Sequence, residues 1–304
     1  MGDLKLFSVS SSGVSEIPGS TVALERSLQA LIEHNLEAFL GVRFLASEYT
    51  TDAEHGGRMD TLGIDENNCP VIIEYKRSSN ENVINQGLYY LDWLVKHRGD
   101  FEMLVLKTLG RETAEAVEWS APRLLCIAGS FNKYDEHAIK QMNRNIELIR
   151  YVRFGDGLLM LEQVNQTSAP SAPTVSSSSG YSGAVTYKTV SDYLSEADQS
   201  LVDLYEALKD YLINLGDDVQ IKTLKFYIAF KRIKNFACVE IAKNDGHIKV
   251  HAKVDPDTIT LEPGFTRDTR NIGTFGTGDL EIRLRNMADL ERAKPLIIQS
   301  YESA

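Results

Sequence analysis

The sequence predicts an α/β protein: a mixed sheet flanked by helices, followed by a small α+β domain. Three observations predict it. After an initial hairpin, apolar strand-like runs alternate with segments of helical periodicity as far as about residue 165. Residues 166–189 are rich in Ser, Pro, Ala and Gly, cannot bury a core and read as a flexible linker. Residues 190–304 open with an amphipathic helix, continue as short strands and close with a helix. The expected organisation is a first domain over 1–165, a linker over 166–189 and an α+β tail over 190–304.

In chain order, residues 4–7 and 14–17 form a hairpin about Ser and Gly turn residues. Ser20 or Thr21 caps a helix that reaches Leu40 and stops at Gly41, with Leu24, Leu28, Leu31, Ile32 and Leu36 at helical spacing. Glu25, Gln29 and Glu33 recur every four residues on a neighbouring face, which spacing alone leaves open between a solvated face and one turned toward the site. Residues 44–51 form a strand or an extended link.

The most informative stretch follows. Residues 70–75 are apolar except for Glu74 and rich in β-branched side chains, the pattern of a buried strand. Pro70 suits only its first position, because it has no N–H for the ladder. Asp65, Glu66, Asn67, Asn68 and Cys69 are turn-forming, so a hairpin is expected. With those five residues as the loop, Ile64 faces Pro70 and Asp60 faces Glu74, their Cβ atoms about 4.5–5.5 Å apart. Glu74 and Lys76 share a face because strand side chains alternate. Two carboxylates and an ammonium then converge at the end of a buried hairpin. Carboxylates this close repel, and a hard divalent cation with oxygen ligands removes the conflict. The plainer alternative is a Glu74–Lys76 surface pair beside an unrelated Asp60.

Ser78 to Asn80 can cap a helix over 81–97, on which Gln86 and Tyr90 stand one turn apart. Tyr89 and Trp93 read as packing residues. Beyond it the sequence predicts a strand over 101–107, a helix over 111–117, a buried strand over 122–128, a helix over 135–143 and a closing hairpin of 146–154 with 158–164.

The pattern Asp60, Glu74-Tyr75-Lys76, then Gln86 and Tyr90, resembles the PD-(D/E)XK nucleases in their QxxxY variety, and is similar to the catalytic domain of the endonuclease NucS group, which cuts branched or mismatched DNA. Gly57-Arg58-Met59-Asp60 stands at the family's Gly-Arg-x-Asp strand, with Met59 where many members have Pro, and Glu25 at its helical Glu. The likeness covers roughly the first half of the chain. It implies a restriction-endonuclease-like fold and a metal-dependent phosphodiesterase acting on DNA in repair or genome defence. It implies Asp60, Glu74 and the Tyr75 carbonyl as ligands of Mg²⁺ or Mn²⁺. Lys76, Gln86 and Glu25 join them at the catalytic centre, with Tyr90 in support or at nucleic acid. Arg58 lies two residues before Asp60 and suits a phosphate, or a bridge to Glu25 or Glu74. The other classes are an inactive nucleic-acid-binding protein or scaffold, and a sensor whose C-terminal domain binds a ligand or partner.

Hydrophobic content of 43% and charged content of 25% suit a soluble globular protein. A net charge of −11 counts against a broad non-specific nucleic-acid surface and leaves room for a local basic groove. The three cysteines show no metal-binding spacing and are expected as free thiols. No stretch suits a membrane span or secretory signal, so the expectation is cytoplasmic, with nucleic acid as partner, no membrane, and a homodimer left open.

In the tail, Lys222, Lys225, Lys231, Arg232 and Lys234 gather about one expected hairpin. Lys231 and Lys234 are its candidate phosphate contacts, against the reading of an exposed sheet face. His247 and His251 read as ordinary sheet residues, and the loop with Gly273, Gly276 and Gly278 lacks the Lys of a nucleotide-binding motif.

Overall fold

The continuous apolar run that ends before Lys76 and the helical spacing from Val83 onward place a strand and a helix back to back in a computed structural model, which describes residues 4–21, 25–52, 56–76, 83–167 and 189–304. The chain divides into two compact units, Met1–Ala172 and Pro173–Ala304. The tract expected as a linker lies, over 168–188, outside the described residues.

The first unit begins with a hairpin of β1 (Leu6–Ser10) and β2 (Gly13–Ile17), then a short β3 (Gly19–Ser20). The single helix expected up to Leu40 is two: α1 (Glu25–His34) and α2 (Leu36–Leu40), broken at Asn35, whose backbone leaves the helical region. Gly41 ends α2 at φ +62, a conformation glycine adopts without a Cβ penalty. There follow β4 (Val42–Thr50), β5 (Arg58–Asp65), β6 (Pro70–Lys76), α3 (Val83–Lys96), α4 (Arg98–Leu109), α5 (Arg111–Glu115), β7 (Arg123–Ala128), α6 (Lys133–Lys140), β8 (Asn145–Phe154) and β9 (Leu158–Thr167).

Strands β3 to β9 form one mixed seven-stranded sheet, and β1 and β2 form a sheet of their own. β4–β5 and β5–β6 are antiparallel, β6–β7 and β7–β8 are parallel, and β9 returns antiparallel on β8. Helix α3 packs on β6 and β7, and α1 packs on β5 and β6. This is the mixed sheet flanked by helices that the sequence predicts. One expectation fails: residues 101–107 lie in α4, not in a strand. Phe101 and Val105 are its buried residues, one helical turn apart, while Met103 and Leu106 are exposed. A short apolar run does not separate the two periods.

The second unit starts with α7 (Val190–Ser195) and α8 (Gln199–Ile213). It continues with β10 (Gln220–Thr223), β11 (Ile228–Lys231), β12 (Asn235–Ala242), β13 (His247–Ala252), β14 (Thr266–Asp268) and β15 (Leu280–Leu284), and ends with α9 (Met287–Glu302). The sheet is antiparallel in the order β10-β11-β12-β13-β15-β14. Strands β10 and β11 form a hairpin that turns where Leu224 N–H donates to the Tyr227 carbonyl. Leu204, Leu208, Val239, Val250, Ile282 and Ile297 build the core between helices and sheet. Among the described residues no helix is long and apolar enough to cross a membrane.

Candidate functional site

The hairpin of β5 and β6 has the register expected of its turn. Ile64 pairs with Pro70 and Thr61 with Ile73. Asp65 fixes the loop by accepting the N–H groups of Asn67 and Cys69 on Oδ1, both at 2.9 Å. The paired ladder reaches only as far as Thr61 and Ile73, and carboxylates make the next rung. Asp60 N–H donates to Glu74 Oε1 at 3.2 Å, and Tyr75 N–H donates to Asp60 Oδ2 at 2.9 Å. Each side chain thus fastens the backbone of the other strand, which locks both carboxylates in place at the strand ends.

Glu74 is 1% exposed. Burial, and after it the charge of Asp60, pushes its carboxyl up to about 9, against the opposing bond from Asp60 N–H. Lys76 is 3% exposed and makes no hydrogen bond or ion pair with the described residues. It lies two residues after Glu74 on the same face of β6 and forms no ion pair with Glu74 or Asp60. Burial also pushes the Cys126 thiol up, with Glu74 raising and Lys76 lowering it.

On the other face, Gln29 of α1 donates to the Asp60 carbonyl at 2.9 Å and to Glu33 Oε1 at 3.0 Å. Thr61 Oγ1 donates to Glu33 at 2.6 Å. The face carrying Gln29 and Glu33 is therefore turned onto β5 rather than solvated. Glu25 begins this helix one turn before Gln29, and its side chain lies outside the described part of the structure.

Tyr90 is buried, and its hydroxyl accepts from Arg58 N–H at 3.2 Å and from Gln86 Nε2 at 3.1 Å. The Gln86–Tyr90 pair thus meets the start of β5 and forms no bond to Lys76. The ring lies on Gly57, where an added Cβ would come within 2.4 Å of Tyr90 Cε1. Below it, Asp52 Oδ2 accepts from Trp93 Nε1 at 2.8 Å and lies 3.1 Å from His97 Nε2. Trp93 is therefore a packing and anchoring residue, at 4% exposure.

Arg58 forms no ion pair with Glu74; its Nε lies 2.5 Å from Glu48 Oε2. Glu48 is the residue that sequence reasoning missed. Ser47 pairs with Thr61 and Tyr49 with Met59, so Glu48 stands across from Asp60 on the third strand. Its backbone is left-handed, φ +53, costly for a residue with a Cβ. Its charge adds to the upward push on Glu74. A register irregularity between Phe44 and Ala46 shifts the alternation of β4, which hid Glu48 from pattern reading. Gln29, Ala30, Glu33, Ser47, Glu48 and Arg58 line a cleft of about 320 Å³ beside the carboxylates. A larger cleft of about 700 Å³ runs along 33–44 and Leu109 and holds none of Asp60, Glu74 or Lys76.

The donor set suits a hard cation. Among the described residues no three His, Cys, Asp or Glu side chains group as a metal cluster. Mg²⁺ characteristically takes only one or two carboxylates and fills its shell with water and substrate oxygens. Asp60 and Glu74 match that demand, and the raised Glu74 carboxyl marks two acids lacking a countercharge.

In the tail, Lys231 is 3% exposed, which removes it from the expected set of surface phosphate contacts; it ends a strand that lies inside the sheet, between β10 and β12. Lys234 is half-buried in the turn between β11 and β12. Arg232 is held by Asp218, at 2.7 Å, and lies over the Tyr301 ring.

Comparisons with known proteins give three likenesses. Residues 190–304 match the family described as a domain of unknown function, DUF5655. The chain is 29% identical over 312 residues to a Haemophilus influenzae protein described as uncharacterized, covering 98% of this chain and 100% of that one. A solved structure titled as an EndoMS–dsDNA complex is similar at a TM-score of 0.26 and 18% identity. That likeness covers 43% of this chain and spans about half, 47%, of the other.

Proposed function

We propose that this protein is a divalent-cation-dependent nuclease that hydrolyses phosphodiester bonds in DNA, with Asp60, Glu74 and the Tyr75 carbonyl holding Mg²⁺ or Mn²⁺. One observation carries the reading: the reciprocal clasp of Asp60 and Glu74, made at the open end of a buried hairpin, with the buried Lys76 two residues on along the same strand. A purely structural hairpin end gains nothing from a buried acid set against a half-buried one, since the buried one must stay protonated. The choice of DNA, and a setting in repair or genome defence, follow the sequence resemblance.

When bound, the cation supplies positive charge to the phosphate and lowers the pKa of a coordinated water. The chain's own residues do the rest. Asp60 and Glu74 orient their oxygens through the backbone bonds already formed. Lys76 places its ammonium where negative charge develops on the phosphate, in a site whose burial strengthens the attraction. Gln29 and Tyr90 hold the two ends of the segment bearing Asp60, and Gln86 holds Tyr90. Arg58 exchanges Glu48 for a substrate phosphate, which its planar guanidinium fits.

The test is a cleavage panel with Mg²⁺ or Mn²⁺ on single-stranded, duplex and branched DNA and on RNA. Wild type cuts at least one DNA substrate; Asp60→Ala and Lys76→Ala lose cutting by 100-fold or more while remaining folded. Equal cutting by both variants would remove the assignment of this site, and cutting of RNA alone would correct the substrate.

A further inference from the structure

We propose that Glu48 is an internal stand-in for a substrate phosphate: its carboxylate holds Arg58 in the free protein and must be displaced before DNA reaches Asp60 and Glu74. The inference rests on the nuclease reading and adds to it the residue that regulates entry to the site.

Glu48 is held in a conformation that its own side chain disfavours. Ser47 pairs with Thr61 and Tyr49 with Met59, in one register on either side of it, yet Glu48 lies at φ +53. A left-handed backbone is costly for a residue with a Cβ and persists only where the surroundings fix it. Glycine or asparagine suits such a place, so glutamate there calls for a reason. The contact made by the side chain supplies one: Glu48 Oε2 lies 2.5 Å from Arg58 Nε.

That contact is an imperfect match. Glu48 Oε2 is shielded from water and has no hydrogen-bond partner among the described residues, so charge rather than an aligned bond holds it to Arg58. Buried polar atoms are nearly always paired, and this one is left short. A phosphate, whose oxygens suit the planar fork of a guanidinium, is the better partner for Arg58. The pair is also open to exchange. The side chain of Arg58 is 62% exposed and that of Glu48 39%, and ion pairs at such exposure contribute little.

The place of the pair gives the exchange its consequence. Glu48 and Arg58 line the 320 Å³ cleft beside the carboxylates, and Arg58 is the one cation among the described residues lining it. Glu33, the other acid there, is already engaged in accepting from Gln29 and Thr61. Glu48 is therefore the acid that competes with an entering phosphate. Arg58 stands two residues before Asp60 on β5, about 7 Å along the strand, so a phosphate on Arg58 lies next to the proposed site of cutting. While Glu48 holds Arg58, DNA meets a neutralised guanidinium and nearby acids. Swapping one anion for another on Arg58 releases no net counterion, whereas binding to a bare Arg58 contributes about 0.9 to the salt slope.

The test is DNA binding by the full-length chain, read by fluorescence anisotropy of a fluorescein-labelled branched duplex over a series of salt concentrations. EDTA is present, so no cutting intervenes and the result is separate from the cation site. Glu48→Gln is expected to bind about 5-fold more tightly than wild type and to steepen the salt slope by about 0.9. Glu48→Asn, too short to hold Arg58 and at ease in the left-handed region, does the same. Arg58→Ala binds more weakly. Adding Glu48→Gln to it changes affinity no more than Glu37→Gln does, Glu37 being an exposed acid on α2 outside the cleft. Each variant is checked for folding by circular dichroism. Binding by both Glu48 variants no tighter than by Glu37→Gln overturns the proposal. So does a gain that persists in full beside Arg58→Ala, since it would come from general repulsion. Either result leaves the nuclease reading standing if wild type cuts DNA with Mg²⁺. Absence of DNA binding by wild type and Glu48→Gln alike overturns both.

Discussion

Replacing Glu74 by Gln should make the first unit more stable at neutral pH. Glu74 holds its proton up to about pH 9 in the folded chain, against an ordinary value of 4.5. Above 4.5 the unfolded chain releases this proton while the folded chain keeps it. Stability is therefore fully present below about pH 4.5 and is lost progressively as pH rises toward 9. Each pKa unit is worth about 1.4 kcal/mol, so roughly 3 kcal/mol has gone by pH 7 and roughly 6 by pH 9. Gln keeps the acceptor for Asp60 N–H and removes the titration. The difference between variant and wild type should then be near zero at pH 5, reach about 3 kcal/mol at pH 7 and widen at pH 8.5. Urea unfolding reports it directly, because both tryptophans, Trp93 and Trp119, lie in the first unit. The midpoint shift at pH 7 is roughly 1–2 M. Parallel pH profiles for the two proteins would refute the reasoning, since Glu74 would then titrate as an ordinary carboxyl.

Two more perturbations follow from the geometry. Arg123, 3% exposed, donates to both oxygens of Glu147 at 2.8 and 2.9 Å and to Asp65 at 2.9 Å; Arg123→Met strands two buried carboxylates and should cost about 3–5 kcal/mol by the same unfolding assay. A cost under about 1 kcal/mol would mean that water reaches the acids. Gly57→Ala drives a methyl against the Tyr90 ring, so it should cost about 1–3 kcal/mol and, by moving the strand that carries Asp60, slow cleavage more than it weakens DNA binding. Unchanged stability would show that the ring swings aside.

The legible part of this fold was local. Asp65 to Cys69 and Pro70 specified a turn and a strand start, and the period of 2 did the rest, so the Asp60–Glu74 pairing followed from counting. Gln86 and Tyr90 were readable from a four-residue spacing, though their target, Arg58 N–H, was not. What stayed hidden depends on contacts distant in sequence or on broken periodicity. Arg123 reaches Asp65 and Glu147 across three strands, and nothing local marks it. Glu48 lies beyond the register irregularity in β4. Helix α4 looked like a strand because its apolar run is short.

The most direct measurement is Mn²⁺ binding to the full chain with a non-cleavable DNA duplex present, followed by electron paramagnetic resonance. The account predicts that wild type takes up the ion and that Asp60→Asn, with fold and DNA binding intact, loses at least 10-fold in affinity. Equal Mn²⁺ binding by the two proteins would contradict it.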